Sequence, residues 1–249
     1  MMMLREWDAE TYDSLPLPHL RWGARTLERF SFAGDETVLE AGCGTGRDTE
    51  ALLGVLPRGR VIAVDGSARM LERLRTRLAG RLDRVEAIQA DLTAPLPLTE
   101  KADAAFSVAT FHWIRDHDAL FANIAGALRP GARFAADCGG KGNVAAVQAA
   151  IDDVLGERTD TWSFAGAEET GERLERAGFT DVEVALVPDP ARLEPGAQFH
   201  SFLATVVLGA HLDRMPPAEH EEFVTAVADR LSEPVVDYVR LVFSARRAG

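Results

Sequence analysis

Apolar and polar positions along the chain fall into two rhythms that take turns. Short apolar runs closed by an acid predict strands: Val38-Leu39 before Glu40, Arg60 to Asp65, and Arg84 to Ala90 before Asp91. Ala102 to Ala109 is a fourth, with Ala104, Phe106 and Val108 alternating with Ala105 and Ser107, and Ala132 to Asp137 a fifth. Between them run helical spacings. Leu52, Leu53 and Leu56 share a face of Arg47 to Leu56, which Pro57 stops. Met70, Leu71, Leu74 and Leu78 share a face of a helix that Ser67 can cap. Asp118 to Leu128 is a further helix, ended by Arg129-Pro130-Gly131. Strand and helix alternating with short breaks predict a parallel sheet with right-handed crossovers.

The flanks follow the same rules. A helix is expected from Leu20 to Phe30 before the first strand. After the fifth strand, Asn143 to Leu155 and Ala167 to Ala177 are helical, with Gly178 as the stop. Thr180 to Val187 and a stretch within Val235 to Arg246 are strands six and seven. Phe199 to Leu212 and Glu219 to Leu231 are helical and lie between them, so residues 188–234 read as a helical insertion. The whole chain, 1–249, is taken as one domain.

Composition narrows the class. With 249 residues, 47% of them apolar, the chain can build a sizeable core. The net charge of −12 and two dispersed lysines argue against a nucleic-acid partner, whose phosphates need Lys and Arg. No apolar run approaches the length of a membrane span, and Met1 to Glu10 lacks a signal-peptide core, so a cytoplasmic protein is expected. Cys43 and Cys138 end strands that would not be neighbours, which predicts two buried free thiols. The His and carboxylate spacings match no zinc signature, and no metal is expected.

The chemistry is concentrated in Glu40-Ala41-Gly42-Cys43-Gly44-Thr45-Gly46. A strand, a glycine turn and a helix start form a nucleotide pocket in open α/β sheets, because glycines permit positive φ and close ligand approach. The dinucleotide spacing GxGxxG fails: its third glycine is replaced by Arg47. Glu40 would also sit where a pyrophosphate lies, and a carboxylate there favours a cation. An NAD(P)-dependent oxidoreductase is therefore disfavoured.

Glu40 to Gly46 resembles motif I of the class I S-adenosylmethionine-dependent methyltransferases. That resemblance implies a Rossmann-like α/β fold: a seven-stranded, mostly parallel sheet in the order 3-2-1-4-5-7-6, helices on both faces, and the last strand antiparallel. The cofactor it implies is S-adenosyl-L-methionine. Glu40, Gly42, Gly44 and Gly46 would hold the methionine end, and Asp65 with Gly66 and Ser67 the ribose. Asp91 would accept the adenine amino group, with Met70 and Leu92 covering the ring. Ser107 to His117 and Trp7 to Tyr12 look like the subgroup that includes trans-aconitate methyltransferase. By that likeness Ala109 touches the methionine end, Arg21 pairs with the methionyl carboxylate, and His112 and Trp113 border the acceptor. Trp7, Tyr12, Phe199 and His200 are further acceptor candidates, and His112 is the catalytic candidate, either as a hydrogen-bond donor or, with His117 as the other choice, as a base.

The expectation is thus methyl transfer to a small molecule such as a carboxylic acid, with residues 1–36 as a helical lid and 188–234 as a cap. Transfer to oxygen or nitrogen of another metabolite is the nearest alternative. A protein that binds the cofactor without turnover is the alternative of another class.

Overall fold

The computed structural model describes Glu6 and residues 19–249. The chain enters on helix α1 (His19–Leu27) and continues into strand β1 (Thr37–Ala41), helix α2 (Arg47–Val55), β2 (Arg60–Asp65), α3 (Ala68–Arg77) and β3 (Val85–Gln89). Then come β4 (Ala102–Val108), α4 (His117–Ala127), β5 (Leu128–Gly139), α5 (Ala145–Leu155), α6 (Ala167–Arg176) and β6 (Phe179–Pro188). A short strand β7 (Ala191–Arg192) opens the segment of α7 (Ala197–Phe202), α8 (Gly209–Leu212) and α9 (His220–Ala228), which β8 (Val235–Val236) closes before β9 (Val239–Arg247). Seven strands form one sheet in the order β3-β2-β1-β4-β5-β9-β6. β1 to β5 run parallel, and β9 lies antiparallel between β5 and β6. This is the class I order, with β9 as the seventh strand of the sheet.

The period-two pattern explains why helices lie on both faces. Val38, Val61, Ala63, Ala104 and Phe106 point to one core, packed by α1, α2, α3, α5, α7 and α9. Leu39, Ile62, Val64, Ala105 and Phe134 point to the other, packed by α4 and α6. The central strands are mostly apolar on both faces because neither face meets water, and their polar residues gather at the strand ends. Cys43 and Cys138 are buried and unbridged.

Three departures from the sequence reading have local causes. Arg129-Pro130-Gly131 is not a turn before the fifth strand but a bulge inside β5: Leu128 pairs with Ala102, and pairing resumes only at Arg133 opposite Ala104. Phe199 to Leu212 is not one helix. Leu203–Val207 is a π-turn, closed by the Leu208 amide on the Leu203 carbonyl at 2.7 Å, and it keeps Phe202, Leu203, Val207 and Leu208 all buried. Third, β7 and β8 pair, Ala191 with Val236, so the inserted helices leave and rejoin the sheet at one point.

Candidate active site

The carboxyl ends of β1 to β5 bring the predicted residues to one edge. Gly42, Gly44 and Gly46 have φ of 82°, 52° and 83°, the left-handed turn that glycine adopts without a Cβ penalty. Their open sides differ. A Cβ on Gly42 would come within 2.0 Å of the Thr110 hydroxyl and one on Gly46 within 2.8 Å of Leu74, so both are fixed by packing. At Gly44 nothing among the described residues lies within 4 Å of such a Cβ: this is the face a ligand can approach. Asp65 braces the turn, its Oδ2 accepting the Gly44 amide at 2.9 Å and its Oδ1 the Ser67 amide at 2.8 Å. Ser67 caps α3 through the Met70 amide, and Gly66 joins the two.

Carboxylates crowd this edge. Glu40 is buried at 2% exposure and accepts the Thr49 hydroxyl at 2.5 Å. Burial, then the neighbouring Asp48 and Asp65, push its carboxyl well above the usual range. Asp48, in the first turn of α2, is pushed up to about 7, chiefly by burial and despite Arg47. Asp65 is raised by burial, against the amides that it accepts. Three acids, each harder to ionise than in water, are the setting that a cation relieves. Beyond β3, Asp91 holds the Thr93 amide and hydroxyl at 2.8 and 2.7 Å, and Leu92 and Met70 are buried.

Past β4, Ala109 stands at a φ of 57°, with its amide held by the Asp137 carbonyl at 2.8 Å. His112 follows on a single 3₁₀ turn, Phe111–Trp113. Its Nδ1 accepts the Gly139 amide at 3.2 Å, so the neutral ring carries its proton on Nε2. Burial, then the Arg240 charge, hold this imidazole well below its usual range. His112 is therefore built as a hydrogen-bond donor, since its basic lone pair is already taken. His117 is also buried; its Nε2 lies 3.0 Å from the Phe111 carbonyl, under the same turn.

Other predicted residues stand further off. Arg21 is exposed and paired with Asp189 at 2.7 Å. Phe199 is buried in the first core and His200 is half-buried. Trp7 and Tyr12 lie outside the described residues. Trp113 packs 5.2 Å from His112, centroid to centroid.

Sequence reasoning missed several groups. Asp137 and Arg240, both 1% exposed, form a buried pair at 2.8 Å, with Arg240 stacked 3.6 Å over Trp22 of α1. Arg25 reaches the same Asp137 at 2.6 Å, and the Trp22 indole donates to Asp189 at 2.6 Å. These bonds clamp α1 across the strand ends. Glu6 accepts from the Ser67 hydroxyl and the Ala68 and Arg69 amides, beside Asp65. Only Asp48 left a signal, as an acid in the first turn after the glycines.

The residues suit a nucleoside carrying a cation and no phosphate. The space does not yet: the cavity between the turn and α1, lined by His19, Leu20, Gly42 to Thr45, Arg47, Asp48 and Val108, holds about 50 Å³. Sites for ligands of that size need roughly 300 Å³ or more, so this cavity, whose lining does not include Asp65, Met70, Asp91 or Leu92, is one part of such a site, with α1 as its wall.

Strand order, glycine turn and strand-end acids together are those of the class I methyltransferase fold. Comparison with known proteins agrees. Residues 38–131 match the family model of a methyltransferase domain. The trans-aconitate 2-methyltransferases of Acidovorax sp. (strain JS42) and Azoarcus sp. (strain BH72) are 33% and 35% identical over 128 and 125 residues. These matches cover 51% and 50% of this chain and 48% and 47% of the relatives, so the chain spans about half the length of the curated relatives it matches. Among solved structures, YcgJ from Bacillus subtilis is similar with a TM-score of 0.66 at 12% identity, covering 93% of this chain and all (100%) of that one. Haemonchus contortus phosphoethanolamine N-methyltransferase 2, solved with S-adenosyl-L-methionine, gives 0.62 at 20% identity, covering 92% of this chain and 53% of that one. The resemblance seen in the sequence holds as far as the match reaches: residues 38–131 fit the methyltransferase-domain family model, and the sheet has the class I strand order.

Proposed function

We propose that the protein is an enzyme that methylates a small-molecule acid with S-adenosylmethionine. The observation that carries this reading is the set of acids, buried Glu40 with half-buried Asp48 and Asp65, around the open face of Gly44, with a donor histidine past Ala109. Glu40 and Asp48 would meet the cationic end of the cofactor, Asp65 the ribose hydroxyls, and Asp91 the adenine amino group. Met70 and Leu92 would sandwich the ring, and Ala109 would border the methionine end.

When bound, the cofactor supplies an activated methyl: the acceptor oxygen's lone pair forms the new C–O bond as the C–S electrons return to sulfur. The chain's own part is orientation and exclusion of water. Placing the acceptor in line can supply on the order of 7–11 kcal/mol of the barrier. His112 would donate Nε2–H to one carboxylate oxygen, leaving the other to attack. A carboxylate needs no base at neutral pH, which fits an imidazole whose Nδ1 is occupied.

The residue segments 1–36 and 188–234 would serve as lid and cap. A cytoplasmic setting fits two free buried thiols, and among the described residues no helix is long and apolar enough to cross a membrane. The net charge of −12 favours a small-molecule acceptor over nucleic acid.

The test is incubation with deuteromethyl-labelled cofactor and a library of organic acids, read by mass spectrometry. The expected result is a labelled methyl ester. Cofactor binding without any labelled product from acids, alcohols or amines would leave a binding protein instead.

A further inference from the structure

At the acceptor end, three half-buried aromatic side chains lie beside His112. Phe164 stacks on the His112 ring at 6.0 Å and 29°, and Trp162 stacks on Phe164 at 5.6 Å and 19°. Trp113 continues the row, 6.2 Å from Trp162. The row is anchored at the end of β5. A Cβ on Gly139 would come within 2.8 Å of the Phe164 ring, and the amide of that same Gly139 fixes His112. Donor and aromatic surface are therefore held in register by one residue.

Among the described residues, the arginines Arg240, Arg25, Arg21 and Arg115 are already matched. Arg240 and Arg25 are spent on Asp137, Arg21 on Asp189, and Arg115 on Asp160. Lys141 is exposed to solvent. His19 and His112 add no positive charge, since burial and then Arg240 hold both below their usual range, His19 at about 3. An acceptor with three carboxylates would bring three charges to a surface whose arginines have partners, and desolvating unpaired carboxylates is costly. One carboxylate on a flat apolar body needs only one donor and a stacking surface.

We infer that the acceptor is a monocarboxylic acid with a planar apolar body, aromatic or conjugated, stacked on Trp162 and Phe164 with its carboxylate on His112. This rests on the methyltransferase reading and narrows its substrate class; Trp162 and Phe164 become specificity-determining residues. The transfer itself is unchanged: carboxylate oxygen gains the methyl, the C–S bond breaks toward sulfur, and no proton moves.

The experiment first measures cofactor binding by calorimetry, then kcat/KM for cinnamic, butyric and trans-aconitic acids. Cinnamic acid should exceed both others by about tenfold or more, the discrimination that a complementary apolar surface provides. Phe164→Leu and Trp162→Leu should raise KM for cinnamic acid by about three- to tenfold, the range of an aromatic pair. Neither should change the cofactor Kd, and the rise in KM should be larger for cinnamic than for butyric acid. Preference for trans-aconitic acid, equal effects of the variants on both monoacids, or no methylation of any of the three with cofactor bound would overturn the inference while leaving cofactor binding intact. No cofactor binding by the wild type would overturn the parent reading as well.

Discussion

Asp48 lines the cavity over the glycine turn with its carboxyl pushed up to about 7, so near neutral pH it exchanges a proton with solvent. A cation beside it favours the ionised form. Below about pH 7 binding must then expel a proton, and affinity for S-adenosylmethionine should rise with pH by up to about tenfold per unit, flattening above. Calorimetry across about pH 5.5 to 8 checks this, and Asp48→Asn should flatten the profile. For the apo protein the sign is opposite. A raised folded value means stability that is present below the ordinary 3.8 and lost as pH rises through about 7. At His112, the occupied Nδ1 makes a second test. His112→Gln, which can still donate, should stay within about tenfold of wild-type kcat, whereas His112→Ala should lose about tenfold to a hundredfold, the worth of a hydrogen bond to a charged group. A loss in the Gln variant as deep as in the Ala variant would point to a base. At this scale the sequence was legible where geometry is local: a glycine turn after a strand carries Glu40 to Gly46 within seven consecutive residues. It was silent about Asp137 and Arg240, which meet across 103 residues, and about Glu6 reaching Ser67 across 61.

Among the elements, α1 is the one that walls the cavity over the glycine turn, through His19 and Leu20. Gly23 lets it lie against α2, since a Cβ there would come within 2.1 Å of the Asp48 carboxylate. Asp189 latches it from outside through Arg21 and Trp22. Asp189→Ala should loosen that latch. Stopped-flow mixing should then show faster cofactor association, and hydrogen exchange should speed over residues 19–27. Unchanged rates in both would mean that the cofactor enters without displacing the helix. The sequence predicted a helix here but not its docking, because Trp22 and Arg25 find their partners on β9, β5 and the turn after β6. The π-turn at Leu203–Val207 was illegible for another reason. Four of its five residues are apolar, so no period marks where the helix changes pitch. The same uniformity made Phe199 a fair acceptor candidate, while tertiary packing buried it in the core.

For the molecule as a whole, the order of the sheet followed from alternation plus motif. The inner parallel strands are buried on both faces, helices carry the crossovers after β1, β2 and β4, and the two cores separate residue by residue along β1 and β2. The β7–β8 pair and the β5 bulge involve only a few residues, too short to leave a pattern. Because ligand and fold share the strand ends, binding should stabilise the whole domain. S-adenosylmethionine at a hundred times its Kd contributes about 2.7 kcal/mol, which at roughly 2–4 °C per kcal/mol raises Tm by about 5–11 °C. Scanning calorimetry with and without ligand reads that shift directly. The central claim, a cofactor held over Gly44 by strand-end carboxylates, is tested most directly by titration calorimetry of S-adenosylmethionine and NADH into wild type and Asp65→Ala. S-adenosylmethionine should bind the wild type one-to-one and Asp65→Ala at least about tenfold more weakly, the worth of one charge-assisted hydrogen bond, and NADH should give no heat. Wild-type affinity in Asp65→Ala, or binding of NADH in place of S-adenosylmethionine, would contradict it.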